Sequence, residues 1–297
     1  MMATLELASG MAEIAREAGS LLLTYFRGGS FVSPSPANIA AGFNEPIHID
    51  YKGDVDLVTE ADRQSEKLIT ARIRERWPKH DILGEEGTRT ETGSEYRWYV
   101  DPLDGTTNFA HGYPVFNVSL GVEHKGELVA GVVFDPTRNE LFAAEKGSGA
   151  WLNERRIKVS PVSTLGESLL ATGFPSHKRH QNPNIYLYHQ ITLRSHGVRR
   201  AGSAALDLAS VACGRFDGFW EFNLNPWDTA AGVLLVREAG GVVSDFSGGP
   251  FQISSREVCA SNGRIHDQLI YEFQQIFAGR DLDPLPSPVE YASTRKG

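Results

Sequence analysis

Apolar side chains recur at helical spacing in two stretches near the start of the chain. The first stretch predicts a helix over residues 3–27. The second predicts a helix over residues 59–77, where Ile69 and Ile73 stand four residues apart and Pro78 follows the last turn. The chain therefore begins with two helices that each have one apolar face.

Alternation of apolar and polar positions replaces the helical spacing in residues 115–153. Phe116, Val118 and Leu120 alternate with smaller or polar residues, and two further apolar runs follow, each after a turn-rich cluster. This pattern predicts an antiparallel meander. Elsewhere, strands are predicted at 81–83, 98–100, 167–172, 216–222 and 241–245, and helices at 204–212 and 229–238.

A meander followed by alternating strands and helices indicates layered sheets and helices. The chain has no GxGxxG sequence, which disfavours a doubly wound dinucleotide-binding fold. Residues 28–46 are rich in Gly, Ser, Pro and Asn and predict a loop. Residues 281–297 contain three prolines and few large apolar side chains, so they predict a loosely held tail.

Composition narrows the class of protein. The 297 residues carry 29 Lys and Arg against 37 Asp and Glu, a formal net charge of −8 that disfavours a nucleic-acid coat protein. No apolar run reaches the roughly 18 residues of a membrane helix, and Glu6 interrupts any secretory signal pattern. We expect a soluble, cytoplasmic protein without a membrane partner. Its two cysteines, Cys213 and Cys259, are expected to be buried thiols rather than a disulfide or a catalytic pair.

The most informative acids lie in residues 98–109. A strand-like run delivers Asp101, Pro102 opposes further ladder pairing, and Asp104 follows before a Gly-Thr-Thr turn. Two carboxylates this close raise each other's pKa unless a cation neutralises them. Hard divalent cations such as Mg²⁺ bind carboxylate and carbonyl oxygens. The alternative is a pair of ordinary aspartate turns, and this segment alone does not decide between the two.

Three other acids have both a functional and a structural interpretation. Glu85 follows a short apolar run and can stand at the end of a strand. Asp56 and Asp228 each precede or open a predicted helix, where the structural alternative is helix capping. Taken one at a time, these residues leave the alternatives open.

The four motifs in their order resemble the inositol monophosphatase family, within the superfamily of Mg²⁺-dependent, lithium-sensitive phosphatases. They are DxVTxxD at 56–62, GEE at 84–86, DPLDGTTNF at 101–109 and PWDTAAG at 226–232. The resemblance covers roughly residues 10–270. It implies an α+β fold, a layered α-β-α-β-α sandwich of the sugar-phosphatase type. One unit would have a metal-binding half at about 1–155 and a substrate-side half at about 156–280.

The resemblance also implies roles for individual residues. Glu85, Asp101 and the Leu103 carbonyl resemble ligands of a first Mg²⁺, and Asp101, Asp104 and Asp228 resemble ligands of a second. Glu85 would also help to hold a third, weaker ion and belongs with the catalytic residues. Thr106, paired with Asp56, resembles the group that orients or deprotonates the attacking water.

The remaining implied roles concern the substrate. The amides of Gly105 and Thr106 resemble a phosphate cradle beside Asp104. Glu221 resembles an acceptor for substrate hydroxyls, with a surface glutamate at a strand end as the alternative. Gly202, Ser203 and Ala204 resemble the lining of a sugar pocket. Together these residues imply in-line attack by a water molecule that the metal activates.

Thr107, Asn108 and Phe109 favour the inositol branch of the superfamily, so inositol 1-phosphate or a related polyol phosphate is the expected substrate of this phosphoric monoester hydrolase. The alternatives are histidinol phosphate, fructose 1,6-bisphosphate and 3′(2′),5′-bisphosphate nucleotides. A homodimer is implied by resemblance alone. A more remote alternative is a non-catalytic, RNA-associated protein that uses the basic residues in 177–180 and 194–200, which we otherwise interpret as solvated or subunit-interface charges.

Overall fold

A computed structural model describes residues 6–28, 49–51, 57–174 and 182–294. Three of the sequence predictions lie outside these residues: the loop at 28–46 beyond Gly28, the proposed water-orienting Asp56, and the basic segment 177–180. None of the helices in these ranges combines the length and the apolar composition that a membrane span requires.

The described helices and strands follow one another through the chain. The helices are α1 Glu6–Gly28, α2 Glu60–Arg76, α3 Thr106–Ala110, α4 Asn184–Arg194, α5 Ala204–Ala212, α6 Pro226–Glu238, α7 His266–Phe277 and α8 Pro288–Thr294. The first strands are β1 Ile49–Tyr51, β2 Leu57–Thr59, β3 Asp81–Gly84, β4 Tyr96–Asp104, β5 Asn117–His124, β6 Glu127–Asp135 and β7 Glu140–Glu145. The others are β8 Gly149–Leu152, β9 Arg155–Ile157, β10 Leu169–Thr172, β11 Gly197–Arg199, β12 Gly218–Phe222, β13 Val242–Ser244 and β14 Glu257–Ser261.

The larger sheet has seven strands in the order β3-β4-β5-β6-β7-β8-β9. Strands β4 to β9 pair with their sequence neighbours and antiparallel, which confirms the predicted meander, and only β3 runs parallel to its neighbour β4. Short turns suffice to connect such neighbours. The motif at 101–109 begins in the last residues of β4, the second strand of this sheet, and continues into α3.

The smaller sheet has five strands in the order β11-β10-β12-β14-β13. Strand β10 is parallel to β11 and β12, whereas β14 is antiparallel to β12 and β13. A two-stranded β1-β2 ladder precedes both sheets in the chain.

The helices and sheets form five layers, which three apolar cores hold together. One core joins α1 and α2 to the first face of the large sheet, with Ile14, Ile69 and Trp98 fully or almost fully buried. The second lies between the other face of this sheet, α5 and α6, and the small sheet. The third joins the small sheet to α4 and α7. This arrangement confirms the predicted α-β-α-β-α sandwich.

Several predicted elements differ from the observed ones at their ends. The strand predicted at 167–172 begins at Leu169, because residues Leu165–Glu167 form a 3₁₀ turn. The strand predicted at 98–100 continues to Asp104 through a bulge. Cys259 is buried as predicted, whereas Cys213 is half-buried, and both are free thiols.

The region around Arg194 and the start of the tail at 281–297 make more contacts within the chain than the sequence indicates. The sequence places Arg194 among solvated or subunit-interface charges, but within this chain its side chain is only 19% exposed and forms ion pairs with Glu272 and Asp283. Gln190 hydrogen-bonds to the backbone of Asp283 in both directions, at 2.8 and 2.9 Å. The beginning of the predicted tail is therefore attached to α4, and its later residues form the exposed helix α8.

Helix α6 packs against the large sheet at unusually short range. Gly121 and Gly131 face each other across β5 and β6. A Cβ atom at Gly131 would lie 2.9 Å from the Ala231 Cα atom, and one at Gly121 would overlap the Ala230 side chain. These glycines let the first turns of α6, which carry Asp228, approach the sheet directly.

We expect Gly131→Ala to lower the free energy of unfolding by about 1–3 kcal/mol, because the added methyl group overpacks the contact between the sheet and α6. Gly166→Ala is the matched control, since a Cβ atom there has no neighbour within 4 Å and its backbone is not left-handed. Urea unfolding measures both. Equal stability of the two variants would contradict a close contact at Gly131.

Candidate active site

The bulge at the end of β4 places two acids on the same edge of the large sheet. Asp101 pairs with Ser119 and Asp104 pairs with Asn117, so Pro102 and Leu103 stand opposite the single residue Val118 and β4 has one extra residue. A bulge turns the strand and redirects its side chains. The Leu103 amide donates to Asp101 Oδ1 at 3.0 Å, which stabilises the turned segment.

Asp104 is fixed by donors from two other elements. Its Oδ2 atom accepts from Asn117 Nδ2 at 2.9 Å, from the Ser203 hydroxyl at 2.6 Å and from the Ala205 amide at 2.9 Å. Ser203 also caps α5 through the Leu206 amide. The hydroxyl at the start of α5 therefore links the large sheet to the segment at 202–204.

Asp101 lies in an environment of excess negative charge. Its side chain is buried, and its pKa is raised well above the usual value, first by burial and then by the carboxyl groups of Glu85, Asp104 and Asp228. The Glu85 carboxyl is close enough to hydrogen-bond to it. The structure thus brings the four predicted carboxylate ligands into mutual electrostatic contact.

Asp228 lies in the first turn of α6, after Pro226 at the first helical position. Its Oδ2 atom accepts from the Asn225 amide at 2.6 Å, so the residue helps to cap this helix. Burial is the main cause that raises its pKa to about 8. The capping interpretation and the position beside the other acids are both correct.

The turn after Asp104 depends on Gly105. This residue has a φ of +92°, and a Cβ atom there would lie 2.7 Å from the Val115 carbonyl oxygen. Helix α3 begins at the next residue, where the Thr106 hydroxyl lies 3.1 Å from Asp62 Oδ1 and 3.0 Å from the Leu103 oxygen. The acid observed next to Thr106 in the described residues is Asp62, the last residue of the motif at 56–62.

Glu221 is a buried residue inside β12 and not a surface residue at the end of a strand. Its pKa is raised to about 8 by burial and by Asp104, and Arg200 acts in the opposite direction. A Cβ atom at Gly173 would overlap the Glu221 carboxyl group. The glycine therefore makes the space in which this carboxyl lies.

A single cavity of about 270 Å³ brings most of the predicted residues together. Its lining includes Glu85, Asp104, Gly105, Thr106, Gly202, Ser203, Ala204, Glu221 and Asp228. Asp101 and Leu103 are buried and do not line it. Arg200 is the one basic side chain in the described part of the lining.

The donor chemistry fits a hard divalent cation. The acids around Asp101 and the Leu103 carbonyl offer only oxygen atoms, which Mg²⁺ prefers, and the charges that act most strongly on Asp101 are all negative. No group of three or more His, Cys, Asp or Glu side chains in the described residues is already arranged around one point. The fit is therefore one of ligand type and charge.

The model of the inositol monophosphatase family matches residues 8–278. The chain belongs to this family, and it is a phosphoric monoester hydrolase. It is 50% identical to the inositol-1-monophosphatase of Synechocystis sp. over 216 residues, which are 72% of this chain and 75% of that protein. It is 47% identical to the Nus factor SuhB of Pseudomonas aeruginosa over 234 residues, 77% of this chain and 86% of that protein.

Solved structures agree with this family. The inositol monophosphatase from Anabaena superposes with a TM-score of 0.78 at 39% identity, covering 95% of this chain and 98% of that one. The extragenic suppressor protein suhB from Bartonella henselae gives a TM-score of 0.80 at 40% identity, covering 90% and 98%.

Sequence reasoning missed three residues that shape the cavity. Asn117 holds Asp104, Asp62 contacts Thr106, and Gly173 makes room for Glu221. The position of Asp62 in the motif at 56–62 was a usable signal. Asn117 and Gly173 carry none, because their roles depend on contacts with distant segments.

We expect Gly173→Ala to raise KM for a polyol phosphate roughly tenfold, because the new methyl group displaces the Glu221 carboxyl and would remove the hydrogen bond to the substrate that the family resemblance implies, worth about 1–3 kcal/mol. Gly166→Ala again serves as the control. Steady-state phosphate release measures both variants. An unchanged KM in a folded Gly173→Ala variant would show that the Glu221 position does not matter for binding.

Proposed function

We propose that this chain hydrolyses inositol 1-phosphate or a closely related polyol monophosphate with two or three Mg²⁺ ions. The observation that carries the proposal is one cavity in which Glu85, Asp104 and Asp228 lie beside the buried Glu221 carboxyl. The first three, with the buried Asp101, offer ligands for cations. Glu221 offers an acceptor for substrate hydroxyls.

The metal ligands are assigned as the family resemblance implies. Glu85, Asp101 and the Leu103 carbonyl would hold one ion, and Asp101, Asp104 and Asp228 a second, with Glu85 contributing to a weaker third. When bound, Mg²⁺ would supply Lewis-acid stabilisation of the phosphate charge and lower the pKa of the attacking water. Asp104 is suited to this role because the three donors on its Oδ2 atom fix its orientation.

The residues beside the metal ligands bind and orient the reactants. Gly105 and Thr106 line the cavity, and their amides would donate to the phosphate. The Thr106 hydroxyl would orient the attacking water, and Asp62 Oδ1, at 3.1 Å, can accept the proton of that hydroxyl. Whether Asp56 shares this role is part of the proposal, since that residue is outside the described ranges.

The substrate's carbon skeleton would lie between β12 and the segment at 202–204. Glu221 and the segment at 202–204 line the same cavity, so both can contact a substrate bound there. No hydrogen bond to the Glu221 carboxyl is found among the described residues, so its oxygens are available to hydroxyl groups. A ring that carries several hydroxyls satisfies such a group better than an aryl ester does.

Removal of divalent metal with EDTA should abolish phosphate release from inositol 1-phosphate, and added Mg²⁺ should restore it. Asp101→Asn and Asp228→Asn should each lower kcat/KM by on the order of a hundredfold or more, because each removes a charged metal ligand. Asp267→Asn is the control, since Asp267 is an exposed acid in the first turn of α7, away from the cavity. Full turnover in either ligand variant would refute the metal assignment.

Glu221→Gln should discriminate between substrates. We expect KM for inositol 1-phosphate to rise roughly tenfold, corresponding to about 1.4 kcal/mol, while p-nitrophenyl phosphate changes by less than about twofold because it has no ring hydroxyls. The measurement is phosphate release by wild type and Glu221→Gln from these two substrates. Histidinol phosphate, fructose 1,6-bisphosphate and a bisphosphate nucleotide are tested in the same way. Equal losses on all of them would argue against a hydroxyl-binding role.

Two further expectations follow from the family resemblance. We propose a homodimer and a cytoplasmic location. Light scattering in solution should then give twice the chain mass of 32.6 kDa. A mass of one chain would refute the dimer.

A second candidate function is association with RNA outside catalysis. It is supported by the similarity to proteins named Nus factor SuhB and by an open cavity of about 570 Å³ that the exposed Arg199 and Arg200 line. Two other arginines of this cavity are already paired, Arg138 with Asp135 and Arg215 with Glu140. A salt-dependent RNA mobility shift that Arg199→Ala weakens would favour this candidate. If no RNA shift occurs at physiological salt, this candidate is refuted and hydrolysis is the remaining proposed function.

A further inference from the structure

Helix α2 turns a polar face, not an apolar one, toward part of the candidate site. Asp62, Ser65 and Glu66 follow one another at helical spacing, and all three are almost completely buried. Asp62 contacts Thr106, and the Ser65 hydroxyl donates to the Pro102 carbonyl at 2.9 Å. Both contacts reach the motif at 101–109. Glu66 reaches a different segment of the site.

Glu66 binds the turn that carries Glu85. Its Oε2 atom accepts from the Glu86 amide at 2.7 Å, and its Oε1 atom accepts from the Thr88 amide at 2.9 Å. A carboxylate that accepts two backbone amides forms stronger hydrogen bonds than a neutral group would. Both oxygens of this side chain are therefore engaged in holding the turn.

The backbone around Glu85 is held from the other side by the sheet. The Glu85 amide donates to the Val100 carbonyl of β4 at 3.1 Å, and the Gly84 amide donates to the Thr88 carbonyl at 2.7 Å. The Glu85 main chain thus lies between β4 and the Glu66 carboxylate. Its side chain is directed from this fixed backbone toward Asp101.

Gly84 makes the approach of Glu66 possible. A Cβ atom at position 84 would overlap the Glu66 carboxyl group. The glycine in the motif at 84–86 is therefore explained by the side chain of α2 that lies against it. This contact links the second helix to the end of β3.

We propose that Glu66 is a positioning residue that sets the affinity of the site for its divalent cation by fixing the Glu85 backbone. The inference rests on the proposed function only in taking Glu85 as a metal ligand. Groups that orient metal ligands without touching the metal typically change metal affinity by about 10–100-fold when they are replaced. Glutamine at position 66 would direct its NH₂ group at one of the two amides, so one hydrogen bond would be lost.

Asp81 provides a matched control in the same strand as Gly84. It is also a buried carboxylate that accepts two backbone amides, from Thr92 at 2.7 Å and Ser94 at 3.3 Å, but it holds a turn outside the cavity lining. Asp81→Asn therefore reproduces the general cost of losing a buried carboxylate clamp. A purely structural role for Glu66 predicts the same behaviour in both variants.

The experiment compares wild type, Glu66→Gln, Gly84→Ala and Asp81→Asn in the full chain. Calorimetric titration with Mn²⁺, without substrate, gives metal affinity directly, and urea unfolding reports stability. The Mg²⁺ concentration for half-maximal phosphate release is a third readout. We expect Glu66→Gln and Gly84→Ala to weaken Mn²⁺ binding and to raise the half-saturating Mg²⁺ concentration by about tenfold or more. The Asp81→Asn variant should keep wild-type values for both.

The outcomes separate this inference from the proposed function. Wild-type Mn²⁺ affinity in a folded Glu66→Gln variant, or an equal loss in Asp81→Asn, would overturn the positioning role. If Glu66→Gln does not fold, Gly84→Ala decides, because it keeps the carboxylate and only displaces it. If wild type releases no phosphate but binds Mn²⁺ and loses that binding selectively in these two variants, the proposed reaction fails while the role of Glu66 holds.

Discussion

The constraint on which the site depends is the burial of several carboxylates near one another. Asp101 is buried with Glu85, Asp104 and Asp228 close enough to raise its pKa. Both burial and like charge oppose ionisation, so holding such a group of acids together lowers the free energy of unfolding. The surrounding structure offsets this cost with oriented donors, most clearly the three that converge on Asp104 Oδ2.

The acids come from separate elements, so their convergence depends on how the layers pack. The β4 bulge supplies Asp101 and Asp104, and the start of α6 supplies Asp228. Helix α6 reaches the sheet because Gly121 and Gly131 leave its backbone room. Since Asp228 is only two residues from Ala230, the tight contact between helix and sheet also positions an acid of the cavity. Neighbouring residues of α6 therefore determine both how the helix packs against the sheet and where Asp228 lies.

The sequence predicts the meander, helix α5 and the acids in the motifs, because their signals are local. Helices α4 and α7 and strands β11 and β14 were not predicted. In α4 the buried positions include Asn184 and Gln190, and Asn184 accepts from the Trp220 indole at 2.6 Å. Helix α2 was predicted from its apolar residues, but its buried polar face was not. A pattern method counts polar residues as exposed, so it misses interiors in which side chains bind distant backbone groups.

Helix capping and metal binding are compatible at Asp228, because the two oxygens of its carboxyl group can serve different roles. Oδ2 accepts from the Asn225 amide, which is the capping contact, and this contact fixes the direction of the rest of the carboxyl group. Asp104 behaves alike, since its fixed oxygen is held by Asn117, Ser203 and the Ala205 amide. A cap at a helix start therefore makes an acid a better ligand, because the rotamer entropy has already been lost on folding. For acids that open a helix beside a cavity, a structural explanation does not weigh against a functional one.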